Sequence, residues 1–342
     1  MFLRNCWYAA AWDDEVAETP LARTILDEPI VLFRTADGRL AALEDRCCHR
    51  ALPLSMGRVE GETLQCGYHG LRFDTSGRCV AVPGQSSIPP GARVRSFPLV
   101  ERHGWVWIWM GEADAADPAS VPDWWWMDHP EWRPVRGGAP FHVEANYLLL
   151  NDNLLDLSHV AYVHAGSIGT DNVADFPVFS ERGEDYVRMS RMVADSPPPP
   201  LYGQMGGFEG NVDRWQVAVS TLPAYNTVHA GCAPPGAGGA DAPDGTKVEF
   251  FNLNAITPET GTTTHYFYAH ARSFALDDPA VDESFRVDFR RVFGEDIAIL
   301  GAQQANIARR PGAFSVDINV DGPGLAFRRM LARRIEEEGD AG

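Results

Sequence analysis

The sequence predicts an α+β fold in two domains, and three observations support this prediction. Residues 29–110 alternate short β-branched or aromatic runs with turns containing Asp and Gly, a pattern typical of a small antiparallel β domain. Longer alternating segments follow between residues 214 and 272, and a helical stretch runs from about residue 279 to 308. We therefore expect an N-terminal antiparallel β domain at residues 1–120. At residues 135–342 we expect a larger helix-grip domain, in which an antiparallel sheet surrounds a long helix.

Length and composition restrict the class of protein. The chain of 342 residues is long enough for two domains that each bury their own core. Acidic residues outnumber basic ones by 47 to 29, and the net charge of −18 repels nucleic acid and anionic membranes. The first residues lack a signal-peptide pattern, and no apolar run reaches membrane-spanning length. We expect a cytoplasmic protein that binds neither nucleic acid nor membrane.

The first domain is expected to consist of short strands joined by turns. In its last strand, three tryptophans alternate with Val106 and Ile108, so one strand face carries three indoles that we expect to pack in the core. The strands are predicted at residues 30–34, 40–43, 71–73, 94–100 and 105–110.

Two loops of this domain each supply one cysteine and one histidine. Cys47 and His49 form a C-x-H motif in the first loop, and the second loop has Cys66 and His69 as C-x-x-H. Thiolate and imidazole ligands suit either zinc or a two-iron cluster. Zinc fingers take a Cys pair from one loop and a His pair from the other. Here each loop supplies one cysteine and one histidine, so the two cysteines can bind one iron and the two histidines the other. This arrangement favours a Rieske [2Fe–2S] cluster over zinc.

The second domain begins after a linker at residues 111–138 that is rich in Asp, Pro and Trp. Ser196 and the four prolines after it are expected to form an extended surface loop, because proline fits neither a helix interior nor a central strand. Residues 231–245, rich in Gly, Pro and Ala, are expected to form a mobile loop. Helices are predicted at residues 145–164, 279–308 and 324–338, and extended segments at 173–193, 214–222, 225–230, 248–256 and 262–272.

A second metal site is indicated on the helix predicted at residues 145–164. His159 and His164 are five residues apart, about 140° around a regular helix, so they meet one ion only if the helix ends or distorts between them. Asp156 and His159 are three apart and share a face. Two imidazoles and a carboxylate suit a 2-His-1-carboxylate Fe(II) site with positions open for dioxygen and substrate. A helix with two packed histidines is an equally good interpretation of this motif alone. The upstream electron-transfer cluster favours iron.

The two motifs, in this order and spacing, resemble the oxygenase component of Rieske non-haem iron oxygenases over most of the chain. In that family, the aspartate of D-x-x-H bridges the Rieske histidine of a neighbouring subunit to an iron-binding histidine. The third iron ligand there is a carboxylate from a late helix. The resemblance therefore implies that Asp156 is the catalytic bridge and that His159, His164 and Asp296 hold a mononuclear Fe(II).

Glu295 competes with Asp296 for the role of third ligand. Asp296 shares a helical stripe with Val292, Ile299 and Gln303, whereas Glu295 lies about 100° away from it. An acid inside a mostly apolar stripe is costly to bury unless it is paired or bound to metal. This argument favours Asp296.

Shorter stretches resemble the monooxygenase branch that includes toluenesulfonate methyl-monooxygenase and vanillate O-demethylase. They include residues 5–8, 152–156, 208–210 and 257–260. The resemblance implies a monooxygenase that uses O2 to hydroxylate a methyl or methoxy group of an aromatic acid or a similar small aromatic, the second case giving O-demethylation. It also implies a homotrimer that receives electrons from NAD(P)H through a separate flavin and iron–sulfur reductase. The lack of a Gly-rich dinucleotide motif in this chain agrees with that division.

Two other functions remain open at this point. Ring cis-dihydroxylation uses the same metals, and a non-catalytic Rieske electron carrier needs only the first hundred or so residues. Asn153 and Asn252 are candidate substrate-binding residues. The first lies beside the helix face of Asp156, and the second is one of two amides that alternate onto one face of a predicted strand. An exposed strand face explains Asn252 equally well.

Overall fold

The computed structural model describes residues 1–313 and 315–340, which divide into two compact units. The first unit contains residues 1–122 and 257–261, and the second contains residues 123–256 and the described chain from residue 262 onward. Antiparallel sheets form the first unit, and a larger antiparallel sheet with helices forms the second. The predicted α+β class is confirmed. None of the helices in these residues is both long enough and apolar enough to cross a bilayer.

Three small antiparallel sheets form the first unit. Its strands are β1 (Trp7–Trp12), β2 (Leu21–Ile25), β3 (Glu28–Arg34), β4 (Leu40–Glu44), β5 (Arg58–Glu60), β6 (Thr63–Gln65), β7 (Arg72–Phe73), β8 (Cys79–Ala81), β9 (Leu99–Arg102) and β10 (Trp105–Trp109). The sheets have the orders β1-β10-β9, β2-β3-β4 and β5-β6-β7-β8. Strand β10 is buried along its whole length, so both its aliphatic and its indole face lie in the core, as expected for the indoles.

The strand predicted at residues 94–100 is wrong in its first half, since regular pairing begins only at Leu99. Val94 and Phe97 are both buried, but they pack in two different apolar clusters of this unit. Pro98 follows and has no N–H to donate to a ladder, which disfavours regular pairing at that point.

One sheet with helices on it forms the second unit. Its strands are β11 (Arg133–Arg136), β12 (Phe141–Val143), β13 (Phe179–Arg182), β14 (Tyr186–Ser196), β15 (Val212–Thr221), β16 (Tyr225–Ala233), β17 (Val248–Pro258) and β18 (Thr264–Arg272). They follow the order β11-β18-β17-β16-β15-β14-β13, and β12 also pairs with β18. The helices are α1 (Tyr147–Leu155), α2 (Val160–Val163), α3 (Pro200–Gly206), α4 (Pro279–Arg309) and α5 (Gly322–Asp340).

The long helix α4 packs on the sheet, as predicted. Asp278 caps its N-terminus by accepting the Ala280 N–H at 2.9 Å. Phe250 of β17 lies 5.3 Å from the ring of Phe285 and 5.5 Å from that of Phe289. The predicted stripe is wrong at its C-terminal end, where Ile299 is exposed. The side chains of α4 that are buried are Asp282, Phe285, Phe289, Val292, Phe293, Asp296 and Leu300.

The single helix predicted at residues 145–164 is wrong, because the chain breaks into α1 and α2. Asp156 has φ −110° and ψ 92°, which is extended rather than helical. Its side chain accepts the Ser158 N–H at 2.8 Å, a local bond that competes with the helical ladder. Arg191 of β14 donates to the Leu157 carbonyl and the Ser158 hydroxyl, so the sheet holds this break in place.

Three predicted segments of this unit also differ from the structure. Ser196 is buried in β14, and Pro200 begins α3 at a position where a missing N–H costs nothing. The extended segment predicted at 173–193 begins only with β13, after a 3₁₀ turn at Val173–Asp175, and residues 183–185 interrupt it. In the loop predicted at 231–245, Ala233 ends β16 and packs with Ala242 around a buried tryptophan.

A buried ion pair joins the sheet to α4. Arg272 is fully buried, and its Nη2 lies 2.8 Å from the Asp282 Oδ1. Arg133 lies 2.6 Å from the other carboxylate oxygen. Burial acts to raise the pKa of Asp282, but the hydrogen bond from Arg133 and the charge of Arg272 outweigh it, and the pKa is lowered.

We predict that Asp282→Asn lowers the free energy of unfolding by about 3–5 kcal/mol, because Arg272 then lies buried without a counter-charge. Chemical denaturation followed by circular dichroism measures this. Because the pKa of Asp282 is lower in the folded state, the stability that wild type has over Asp282→Asn is fully present above the unfolded-state pKa of about 3.9. This stability is lost as pH falls through the lower folded-state pKa. Glu283→Gln is the control, since its partner Arg286 is exposed, and it changes stability by less than about 1 kcal/mol. Equal losses in both variants contradict this role.

Candidate metal centres

The two Cys-His loops of the first unit share one backbone conformation. The Cys47 N–H donates to the Leu52 carbonyl at 2.9 Å, and its own carbonyl accepts from Ala51. Cys66 repeats this pattern, donating to Leu71 at 2.8 Å and accepting from Gly70 at 3.1 Å. The residue four after each cysteine has positive φ, 56° in the first loop and 74° in the second. The two loops therefore form equivalent turns, and each turn carries one cysteine and one histidine.

These turns bring the four predicted cluster ligands together. Cys47 and Cys66 are buried, whereas His49 and His69 are exposed with ring centroids 4.6 Å apart. Burial, with a smaller contribution from the Cys66 thiol, raises the pKa of the Cys47 thiol to about 11. A Cβ added at Gly67 would lie 2.7 Å from the Met56 carbonyl oxygen, so the second turn needs glycine there. Two buried sulfurs beneath two surface imidazoles fit a cluster with cysteines on one iron and histidines on the other.

In the second unit, two imidazoles converge on one buried carboxylate. The Oδ1 of Asp296 lies 3.1 Å from the Nε2 of His164 and 3.4 Å from the Nε2 of His159. One donor atom from each of the three residues lies within 4.8 Å of the others. The break between α1 and α2 makes this possible, because His159 and His164 flank α2 instead of following one continuous helix. This donor set fits the 2-His-1-carboxylate type of iron site.

Both imidazoles are oriented through their other ring nitrogen. The Nδ1 of His159 donates to the Asp156 backbone carbonyl, and the Nδ1 of His164 lies 2.7 Å from the Oε2 of Glu295. A carbonyl oxygen only accepts, so the Nδ1 of His159 carries a proton, and the Nε2 of the same ring faces Asp296. Such contacts fix the tautomer and ring orientation of metal-binding histidines.

Asp296 is ionised in this environment. Burial acts to raise its pKa, but hydrogen bonds from His159 and His164 outweigh burial and lower the pKa to about 2. Asn153 donates its Nδ2 to the same Oδ1 at 3.1 Å. Asn153 therefore contacts a candidate ligand, and its Oδ1 is buried without a hydrogen-bond partner among the described residues.

The contact of Glu295 with His164 is not apparent from the sequence, in which Glu295 is only a competitor of Asp296. In the structure, the two carboxylates lie at the two ring nitrogens of His164. Adjacent acids near the end of a buried helical stripe are a signal for this arrangement, although only tertiary contacts identify the shared histidine.

Asp156 lies at the edge of a large open cavity, defined here as the Asp156 cavity, of about 740 Å³. Its backbone carbonyl, and not its carboxylate, contacts His159. Asp152 of α1 pairs with Arg328 at 2.6 Å. The walls of the cavity come from α1, the C-terminal part of α4 and α5, and include Leu149, Gln303, Asp317 and Leu325.

A second, narrow cavity adjoins the two imidazoles and Asp296, and we define it as the substrate cavity. Its volume of about 40 Å³ is too small for an aromatic ring, so a ring would have to displace lining side chains. Asn252 lines it, and among the residues that the structure describes its Oδ1 has no hydrogen-bond partner, whereas Asn254 is bonded to Asn226 and Tyr266. Arg214 and Gln216 of β15 also line it, and the sequence analysis did not single them out. Two polar residues at alternate positions of a buried strand were the available signal.

Comparisons with known proteins cover nearly all of the chain. Residues 143–337 match the vanillate O-demethylase oxygenase C-terminal domain, and residues 6–98 match the Rieske [2Fe-2S] domain. The iron–sulfur subunit of the toluene-4-sulfonate monooxygenase system of Comamonas testosteroni is 42% identical over 98% of this chain and 97% of its own. A vanillate O-demethylase oxygenase subunit of Pseudomonas sp. is 38% identical over 100% and 97%.

Solved structures of dicamba monooxygenase share this fold. The crystal structure bound to 3,6-dichlorosalicylic acid has a TM-score of 0.92 at 34% identity and covers 99% of each chain. A second crystal structure, with non-haem iron and dicamba, has a TM-score of 0.85 at 32% identity and covers 100% of this chain and 99% of its own.

Proposed function

Because the chain belongs to the Rieske non-haem iron oxygenases of the vanillate O-demethylase type, we propose that it hydroxylates a methyl or methoxy group of a small aromatic compound. Membership makes it an oxidoreductase with a Rieske [2Fe–2S] cluster and a non-haem iron, which confirms the predicted enzyme class and cofactors. Its relatives are oxygenase components of monooxygenases and O-demethylases, which favours monooxygenation over cis-dihydroxylation and over a non-catalytic carrier.

The observation that carries this proposal is the buried carboxylate of Asp296 between two imidazoles. We propose that His159, His164 and Asp296 hold the Fe(II), with Asn153, Glu295 and the Asp156 carbonyl fixing their orientation. The iron, when bound, activates dioxygen with electrons supplied by the cluster. The protein keeps Asp296 ionised and directs the Nε2 atoms of both histidines at its Oδ1, so these three residues would hold the iron beside the substrate cavity.

For the cluster, we propose Cys47 and Cys66 on one iron and His49 and His69 on the other. The buried cysteines and exposed histidines support this assignment, since an electron partner then meets the imidazole side. The relatives are named as oxygenase components or subunits, which implies a separate reductase. We propose a flavin and iron–sulfur reductase that takes electrons from NAD(P)H, and a cytoplasmic location.

We further propose that Asp156 is the catalytic bridge in a homotrimer. Asp156 lines this cavity while its backbone carbonyl contacts His159, so a histidine of a second copy that enters the Asp156 cavity is separated from the candidate ligand His159 by Asp156 alone. A head-to-tail ring repeats this heterologous contact and closes it.

Labelled dioxygen tests the reaction type. Under 18O2, with a surrogate reductase and 4-methylbenzenesulfonate, we expect one labelled oxygen atom in each molecule of the hydroxymethyl product by mass spectrometry, because a monooxygenase inserts one atom and reduces the second to water. Parallel reactions in 18O-labelled water control for exchange. Two labelled atoms in a ring diol contradict the proposal and support cis-dihydroxylation.

We predict that Asp296→Ala lowers the iron content from about three to about two per chain while the cluster stays intact, because the mononuclear iron loses its only carboxylate ligand. Iron analysis and the visible and EPR spectra of the cluster measure this. Asp288→Asn, on the same helix and bonded to Ser284, is the control and keeps about three. An unchanged iron content in Asp296→Ala shows that another residue is the ligand.

We predict that Asp156→Asn leaves both metal centres occupied and abolishes turnover. The asparagine oxygen still accepts the Ser158 N–H, so the break between α1 and α2 is kept, but the negative charge of the bridge is lost. Iron content, cluster spectra and product formation measure the two effects separately. Asp317→Asn removes another carboxylate of the same cavity and retains activity. Normal turnover in Asp156→Asn rules out the bridging role.

A further inference from the structure

Arg214 of β15 is a buried arginine that the proposed mechanism leaves unexplained. Its side chain is 2% exposed, and its Nε and Nη1 have no hydrogen-bond partner among the described residues. The other buried arginines of this unit have structural tasks, since Arg272 pairs with Asp282 and Arg191 donates to the α1–α2 break. A guanidinium cannot lose its proton in a protein, and burying it without a counter-charge is costly. Arg214 therefore needs an anion that the described chain does not provide.

The groups around Arg214 leave its charge uncompensated. The ring of Tyr202 lies 5.2 Å from the guanidinium carbon, and Cys232 is its register partner on β16. Burial raises the pKa of Tyr202 to about 12, and it raises that of Cys232 to about 12 as well, so both are neutral near pH 7. Asp213 faces elsewhere and accepts the backbone N–H groups of Asp195 and Gly236. A second guanidinium, that of Arg191, is close enough for the two charges to repel.

The position of Arg214 connects this charge to the iron site. Gln216 is two residues further along β15, so it projects from the same face of the sheet. Asn252 reaches the same cavity from β17, and within the described part of the chain the side-chain oxygens of both amides have no hydrogen-bond partner. The candidate metal-binding residues and the polar residues Arg214, Gln216 and Asn252 thus line the same substrate cavity. The rest of its lining is mainly apolar and includes Leu154, Ile168, Val228, Phe289, Val292 and Phe293.

We propose that Arg214 is the residue that binds the anionic group of an aromatic carboxylate or sulfonate substrate. The planar fork of a guanidinium matches two oxygens of either group, and the side chains of Gln216 and Asn252 line the same cavity. The apolar lining takes the ring, and the anchored anion directs the methyl or methoxy group toward the metal-binding residues. This inference rests on the proposed function, since it assigns a specificity-determining residue to the same site.

Matched ligands test the inference on the iron-loaded enzyme under anaerobic conditions. The probes are 4-methoxybenzoate, 4-methylbenzenesulfonate and the neutral, similarly shaped 4-methoxybenzamide, with binding measured by isothermal titration calorimetry. We expect wild type to bind at least one anion about 10- to 100-fold more tightly than the benzamide. The better anion identifies the headgroup. Equal binding of all three probes overturns the inference.

Variants distinguish recognition from a structural role. Arg214→Met is expected to abolish the preference for the anion, and Arg214→Lys to retain part of it, because lysine keeps the charge but not the fork. Arg188→Gln is the matched control, since this arginine lies on the neighbouring strand β14 at the exposed face and pairs with Glu181. It leaves the preference unchanged. Without ligand, Arg214→Met melts at or above the wild-type temperature, because an unpaired buried charge is removed. A lower melting temperature with an unchanged preference in both Arg214 variants overturns the inference.

Product analysis with the same probes separates this inference from the proposed function. If the anions bind tightly through Arg214 and no probe is hydroxylated, the proposed function fails and the binding role of Arg214 stands. If the benzamide is hydroxylated as efficiently as the anions by wild type and by Arg214→Met, the proposed function stands and the anion role fails.

Discussion

The site of the second unit depends on one buried carboxylate, that of Asp296. A charged group in an apolar setting is stable only where donors or a metal compensate it, and here His159, His164 and Asn153 all direct nitrogen atoms at the same oxygen. The carboxylate is placed by α4, whose aromatic face packs on the sheet. The same packing that forms the core therefore sets the position of the candidate iron site, and a change in the helix position moves Asp296 directly.

The break between α1 and α2 resolves a geometric conflict. Two histidines five residues apart point in different directions on a continuous helix, yet both reach Asp296 here. The local hydrogen bond of Asp156 ends α1, and Arg191 holds the loop from the sheet. Asp156 thus has two roles: it places a charge in the Asp156 cavity, and its hydrogen bond with Ser158 shapes the backbone that positions His159. Asp156→Asn keeps this hydrogen bond and removes the charge.

Sequence patterns predicted the elements whose residues repeat regularly, namely α4, strands β15 to β18 of the large sheet and the indole strand β10. Residue type and spacing predicted the four cluster ligands and the two histidines of the second site, whereas the resemblance to the family pointed to a carboxylate on the late helix. The break at Asp156 was missed because a local side-chain bond outweighs helical periodicity there. Glu295 and Arg214 were missed for a different reason. Their roles depend on which side chains they meet across the fold, and neither periodicity nor spacing contains that information.

The account requires a mononuclear ferrous ion on His159, His164 and Asp296 in the same chain as the cluster. Nitric oxide binds ferrous ions with open positions and gives an EPR signal of spin 3/2. In the anaerobically reduced enzyme treated with nitric oxide, we expect about one such signal per chain, and we expect an aromatic carboxylate or sulfonate to alter its shape. Absence of the signal from protein that carries an intact cluster would contradict the account.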